Sequence, residues 1–550
     1  MSTYHSKLNL FMILPQATTV GLTEGTPAEF AASGSGSTTT VVAAALTWAT
    51  DTDDDVVGYL VECVSAAASA QRPNVGQFRK VEAFATATGT ATCEKFPAAT
   101  ETGDRFRLWI PPAGWWSSDA TATAGAAGVI HDAIRDEAVD FFAGSAEEGG
   151  PYLMPVAAGA LPSTTLPIIT NSSNGYVKTA SWGAALAVGD LVQAVYFPEL
   201  VSPGMFELAA DPIRRAGPVG SYGEPEPVRG NRVISGSIEM AFRGPGAARI
   251  GSHAEAHMLL KTVCDVVDPA DATIDTGSTT TNVTIASGTP VAGSMYVTEA
   301  GSLAMCTLFS APDTTVSPAL VSAPVATDTL YGCTTYKPST GLNEAVTVVE
   351  YRGDGFKQEL YGCAPALSFS GARGDWLKIM AAFQGTDGYQ VGYSSAGTAI
   401  ARPFRAKRST INQQRIMRCR AVLGATVLDL ASFTIDLGQA VVAKAGLRNS
   451  NEQGGLDLTN DVVTGQIVAL MNTDVIDQIA RFTAGEPIEL FIQCGAAPGY
   501  PGIFGLWAYK ASYTGSQLAD LEGQVQVTLP FLVHEDPTET TLPRWAIGIA

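Results

Sequence analysis

The segment NRVISGSIEMAF, Asn231 to Phe242, has a counterpart late in the chain: NDVVTGQIVALM, Asn460 to Met471. In each case a stretch with helical spacing follows. Later in each copy comes a glycine-bearing hairpin, ELYGCAPALSFSGARGDWLKIMAAFQG from Glu359 to Gly385 and IFGLWAYKASYTGSQLADLEGQVQVTLPFLV from Ile503 to Val533. The order strand, helix, strand, hairpin therefore occurs twice, over 203–405 and 406–550. A chain that repeats itself this way must build the same supersecondary unit twice. The first copy is longer by an insert at about 270–342.

Most of the remaining chain consists of short β-rich runs, such as VVGYLVECV, FRKVEAFATA, RFRLWI, LVQAVYF, VTVVEYR and SFTIDL, separated by Gly, Pro, Asp and Ser. Evenly spaced short strands indicate sandwiches or barrels, and 550 residues suggest three or four domains. Three segments read as helices. Gly128–Phe142 has apolar residues at helical spacing. Gly251–Asp265 opens with the capping box Ser252 and Glu255. Thr473–Pro487 has Asp474 at its start and is stopped by Gly485 and Pro487. The insert and Trp182–Glu199 echo the small β module expected in the first 200 residues.

Apolar residues make up 46% of the chain and charged residues 16%. Since charge usually reaches about a quarter of a globular sequence, this composition suits β proteins that hide surface in an assembly. The net charge of −20 argues against general nucleic-acid binding, which needs Lys and Arg at phosphates. Acidic walls would instead let DNA slide past. Eight cysteines without a CxxC pair read as buried free thiols rather than a disulfide scaffold. The apolar run Leu8–Leu14 reads as an N-terminal strand rather than a signal peptide, and nothing approaches a membrane-spanning length.

Few residues point to chemistry. His253 and His257 lie one helical turn apart, a spacing zinc can use. HExxH order is missing, Glu255 is already accounted for as a cap, and five histidines in all leave no third ligand to nominate. Two Arg-Gly-Asp tripeptides, at 352–354 and 373–375, fall where hairpin turns are needed. Asp51–Asp55 lacks the ligand register of a calcium loop. One basic stretch stands out: Arg402, Arg405, Lys407, Arg408, Arg415, Arg418 and Arg420, with no acid among them. It would face an acidic neighbouring subunit or DNA phosphate. Nucleophile elbows, phosphate loops and dinucleotide fingerprints are missing, and no cofactor is called for. These features favour a structural protein over an enzyme.

The repeated segments resemble the tail tube proteins of long-tailed bacteriophages. The likeness lies in VISGSIEMAFRG, in HAEAHMLLKTV, and above all in the first hairpin, where Gly362, Cys363, Phe369, Trp376, Phe383 and Gly385 stand at the family's positions. The second copy keeps Gly505 and Phe531 but lacks the cysteine and the final glycine. The resemblance covers about 203–269 and 343–550. It implies a mainly β fold: tandem β-sandwich tube domains, each with a flanking helix, whose inner sheets close into a β-barrel ring around a channel.

Two such domains per chain would let three chains, a homotrimer with pseudo-sixfold symmetry, replace the usual six. The resemblance further implies a virion protein made in the host cytoplasm. Its partners would be its own copies, other tail proteins, and a tape-measure protein and loosely held double-stranded DNA in the lumen, with no membrane. Glu239, Asp520 and Glu522 are candidate lumen carboxylates. Residues 1–200 depart from the family and read as external modules, although the first 30 or so could serve as an arm. The rival reading is a surface adhesin or virion fibre of tandem β domains that binds host glycans, for which Trp109, Trp115 and Trp116 are the only hints. A β-sandwich hydrolase is the third.

Overall fold

The computed structural model describes residues 10–15, 18–19, 29–44, 59–75, 78–93, 95–110, 115–117, 129–131, 152–157, 169–173, 176–179, 191–198, 200–213, 228–242, 244, 256–352, 356–385, 387–391, 420–424, 426–445, 453–460, 462–495, 502–521, 524–535 and 541–550. The chain is mainly β, with several sheets and a closed six-stranded barrel. It divides into two compact units. One comprises 1–11, 197–393 and 410–550; the other comprises 12–196 and 394–409.

The second unit contains a seven-stranded sheet built on Leu60–Ser65, Phe78–Ala85 and Arg105–Ile110. Alternation along these strands sends Val61, Cys63, Val81, Phe106 and Leu108 into one core. Phe106 stacks on Phe30 at 6.0 Å and meets Phe96 edge-on at 6.1 Å. Two three-stranded sheets complete the unit. Trp115 and Trp116 pair with Gln193 and Val192, and both are buried. In the segment read as a helix over 128–142, Val129–His131 is instead a strand paired with Tyr176–Lys178; its β-branched residues suit a pleated surface. The rest of that segment lies outside the described residues.

The repeat lies in the first unit. Its first copy uses β1 (Leu200–Ile213), β2 (Val228–Ala241), α1 (His257–Val263), β3 (Val346–Arg352), β4 (Phe356–Ala372) and β5 (Lys378–Gly385). The later half uses β6 (Leu430–Asp436), β7 (Gln439–Ala445), β8 (Gln453–Asn460), β9 (Thr464–Leu470), α2 (Thr473–Ala484), β10 (Ile488–Cys494), β11 (Phe504–Tyr513), β12 (Gln517–Leu521), β13 (Gln524–Val533) and β14 (Trp545–Ile549). All the pairings below are antiparallel.

The two copies pair alike. β2 lies between β1 and β5, with Gly236 opposite Phe206 and Phe383. β9 lies between β6 and β13, with Gly465 opposite Ile435 and Phe531. The Phe242 amide donates to the Leu377 carbonyl at 2.8 Å, and the Met471 amide donates to the Val525 carbonyl at 2.9 Å. Phe242 and Met471 close the two matching sequence segments, so the sequence repeat and the hydrogen-bond register coincide.

β4 spans two sheets. Its first half pairs with β3 and its second with β5. The crossing falls at Gly362, whose φ of 58° is open to glycine and strained for other residues. β11 does the same, pairing first with β10 and β14 and then, from Ala511 to Tyr513, with β13. β12 continues that edge after an interruption at 514–516.

Of the helices, α2 matches its expected span. Asn472 caps it by accepting from the Val475 amide at 2.9 Å, and Gly485 ends it in the left-handed region. α1 is shorter than expected. It begins at His257 after Ala256, which makes no side-chain cap, and Cys264 already starts a strand paired with Pro338. Ser252 and Glu255 lie outside the described residues.

The insert forms the closed barrel, from Ala272–Ile274 to Thr329–Gly332, closed by the pairing of those two strands. Tyr296, Ala304 and Cys306 fill its interior. The alternate residues Met295, Leu303 and Met305 face outward and pack with Phe491, Trp507 and Ala546 of the later half. Glycines at 505 and 548 make the room: a Cβ at either would overlap Leu303 or Met295.

Candidate functional site

The structural basis of a site is the junction between the two copies. The second half of β4 pairs with β6: Ser368 opposes Asp436, Phe369 opposes Ile435, Ser370 opposes Thr434, and Ala372 opposes Ser432. The Leu437 amide donates to the Leu367 carbonyl at 3.2 Å and the Arg373 amide to the Ala431 carbonyl at 2.8 Å, extending the ladder at both ends. The copies thus merge into one run of eight strands, β1-β2-β5-β4-β6-β9-β13-β12. Packing reinforces the seam, since the Phe504 ring lies 5.5 Å from that of Phe242 and 5.2 Å from that of Phe369.

Directly opposed residues share a face of an antiparallel sheet, so the faces can be read across the whole run. One face is core: Ile238, Ile379, Phe369, Ile435, Ile467 and Leu529 are all buried. The other face has Ser237, Ser370, Thr434, Gln466, Thr528 and Gln526 at partly or fully exposed positions. Its described ionisable residues are Glu207, Glu239, Asp436 and Lys378. Glu239 lies 3.9 Å from the Lys378 ammonium, which also pairs with Asp375 at 2.9 Å. Hydrogen bonding from Lys378, then from the Trp376 amide, holds the Asp375 carboxyl below its ordinary value, and the Asp375 hydrogen bond raises Lys378. This face is a broad hydroxyl and amide surface with few charges, in a chain of net charge −20.

Of the expected lumen carboxylates, Glu239 stands on this face but next to a lysine. Asp520 opposes Val525, one residue out of step with Gln524 and Gln526. Period-two alternation therefore puts it on the opposite face from Glu239, and the two carboxylates do not share a surface. Glu522 lies outside the described residues.

The residues that carry the sequence resemblance have structural roles. Gly362 makes the crossing in β4, and Cys363 is buried there, its thiol pushed up to about 12 by burial. Phe369 packs at the seam. Phe383 meets Phe206 at 5.7 Å, Gly385 opposes Ile234, and Trp376 follows the turn at Arg373–Asp375. Gly374 has a φ of 81° in that turn, and the Asp375 amide closes it onto the Ala372 carbonyl at 3.0 Å. The other tripeptide has its Gly353 and Asp354 outside the described residues, as are Asp51–Asp55.

His257 is buried, with Nδ1 2.9 Å from the Tyr336 hydroxyl. His253 lies outside the described residues, among which no cluster of three metal-binding side chains occurs. Of the basic stretch only Arg420 is described. It is a strand residue opposite Gln493, and its guanidinium donates to the Ala319 carbonyl of the insert at 2.7 Å. It is half-buried rather than a free surface charge, and burial lowers its pKa. Arg402, Arg405, Lys407, Arg408, Arg415 and Arg418 lie outside the described residues.

Sequence reading missed the seam. SFTIDL was legible as a strand, but nothing local marks β4 as its partner. No family model matches the chain, and no curated protein matches it.

Proposed function

We propose that the chain is a structural subunit of a phage tail tube, in which its eight-stranded sheet forms part of the wall of a DNA conduit. The two halves are then tandem tube domains, each a β-sandwich with its helix, and three chains complete a ring. The observation that carries this reading is the seam. A repeated unit that joins its own copy edge to edge, through Leu367–Arg373 and Ala431–Leu437, is built to continue the same way. Closing such a sheet on itself removes its open edges.

The sparsely charged face supports the same reading. A wall that passes DNA needs few cations, because each phosphate contact adds affinity. Ser, Thr and Gln side chains offer hydration without grip. The tape-measure protein would occupy the same channel before DNA. The insert barrel and the sheets formed within residues 18–196 are external modules in this reading, whereas Leu10–Pro15 belongs to the same sheet as β1. The adhesin reading draws less support, because Trp115 and Trp116, two of its three aromatic hints, are core residues with 9% and 0% exposure.

Negative-stain images of the concentrated protein, and of intact virions labelled with an antibody to it, test the assignment. Rings or stacked tubes with a central hole, and label along the tail, are expected. Elongated monomers under every condition, with label only on fibres, would contradict it.

A further inference from the structure

We propose that β12 of one chain pairs antiparallel with the Met205–Glu207 stretch of β1 in a second copy, Gln517 opposite Glu207, in the register that β4 and β6 use inside the chain. This rests on the tubular reading and adds which edges meet and how they align.

The repeat carries the alignment. Ser368, Phe369 and Ser370 of β4 oppose Met380, Ile379 and Lys378 of β5. Gln517, Leu518 and Ala519 of β12 oppose Thr528, Val527 and Gln526 of β13. With Phe383 equivalent to Phe531 these ladders superpose, so β12 stands where β4 stands. On the other side, Asp436, Ile435 and Thr434 of β6 oppose Thr464, Gly465 and Gln466. Glu207, Phe206 and Met205 of β1 oppose Ser235, Gly236 and Ser237. With Gly236 equivalent to Gly465, β1 stands where β6 stands. Substituting each strand into the internal seam gives Gln517–Glu207, Leu518–Phe206 and Ala519–Met205.

Exposure supplies an independent observation. Phe369 and Leu377 are 1% and 0% exposed, whereas their counterparts at the β12 side, Leu518 and Val525, are 67% and 48% exposed. Apolar side chains sit open where the first copy buries them. A second copy is the occupant whose chemistry fits, because it brings Phe206 opposite Leu518 as Ile435 comes opposite Phe369. The polar pair is also preserved: the internal seam sets a hydroxyl, Ser368, beside a carboxylate, Asp436, and the proposed one sets an amide, Gln517, beside Glu207. Among the described residues no counterpart of β6 pairs with Gln517–Leu521 within the chain; on the other side Leu10–Pro15, a strand of 6 residues, hydrogen-bonds to the 14-residue β1 and leaves part of that edge to a second copy.

The test is disulfide trapping of the full chain carrying Glu207→Cys and Gln517→Cys. Paired strand positions come within disulfide reach, and positions two residues out of register do not. The native cysteines among the described residues are all buried. Mild oxidation at assembling concentration should give covalent dimers and trimers on non-reducing gels, at least tenfold more than Glu207→Cys with Ala519→Cys. Leu518→Lys should leave the thermal midpoint of the unassembled chain unchanged, since the side chain is exposed, and raise the concentration needed for assembly at least tenfold. Rings that form without the Glu207–Gln517 cross-link, or with equal yield from the shifted pair, would overturn the proposed edges and leave the tube standing. A wild-type chain that never assembles, even on virions, would overturn both.

Discussion

Gly465 carries more of the architecture than its size suggests. It opposes Ile435 on one side and Phe531 on the other, and a Cβ there would overlap the Phe531 ring and sit 2.7 Å from the Thr434 carbonyl. The aromatic ring covers the glycine, so the pair works as one unit of the ladder. Gly465→Val forces that ring or the β6 backbone to move. A loss of about 1–3 kcal/mol is expected from overpacking of this kind, read as a lower urea midpoint. The buried thiols make a second prediction at this scale. Burial pushes Cys264, Cys306 and Cys363 from the ordinary 9.0 up to about 12. The folded state therefore holds these protons more tightly than the unfolded chain. That stability is fully present below pH 9 and is lost as pH rises from there toward 12. The urea midpoint should fall between pH 8 and pH 10.5, and replacing Cys363 with Ala or Ser should flatten part of that fall. At pH 8 thiol reagents should modify these residues only after denaturation.

At the scale of elements, capping and register decide what forms. α2 begins at Asn472, whose side chain takes the Val475 amide, and the Tyr513 hydroxyl ties the helix to β11 through Gln478 at 3.1 Å. Asn472→Ala should cost about 1 kcal/mol, seen as a lower thermal midpoint with assembly retained. This helix was readable in advance because Asp474, Gly485 and Pro487 are local signals. The paired strands of the repeat were readable for a similar reason: glycine and aromatic positions recur at matching places in NRVISGSIEMAF and NDVVTGQIVALM. The joining of β4 to β6 was not, since an edge-to-edge pairing between distant segments leaves no periodicity in either. The helix expected over 128–142 failed at Val129–His131 because an isolated apolar spacing does not distinguish a helix from a short strand that finds a partner. The faces of the acidic residues were only partly legible. Alternation is exact along a strand, yet which parity faces outward depends on the partner strand, and this separated Asp520 from Glu239.

For the whole molecule, the tubular account makes one sheet out of two repeats and one ring out of three chains. Its charge follows a division of labour: the chain is strongly acidic, while the exposed sheet face keeps Glu239 paired with Lys378 and fills the remaining positions mainly with Ser, Thr, Gln and Ala. The insert barrel, seated over Gly505 and Gly548, packs on the later half, so the two halves of a chain should look alike at the wall and different outside it. A symmetry-unbiased cryo-EM average of the assembled rings is the measurement that reaches the central claim most directly. Threefold symmetry is expected, with six similar lobes at the wall and extra density on alternate lobes. Rings with true sixfold symmetry, one chain per lobe, would contradict it, because the two repeats would then not both line the channel.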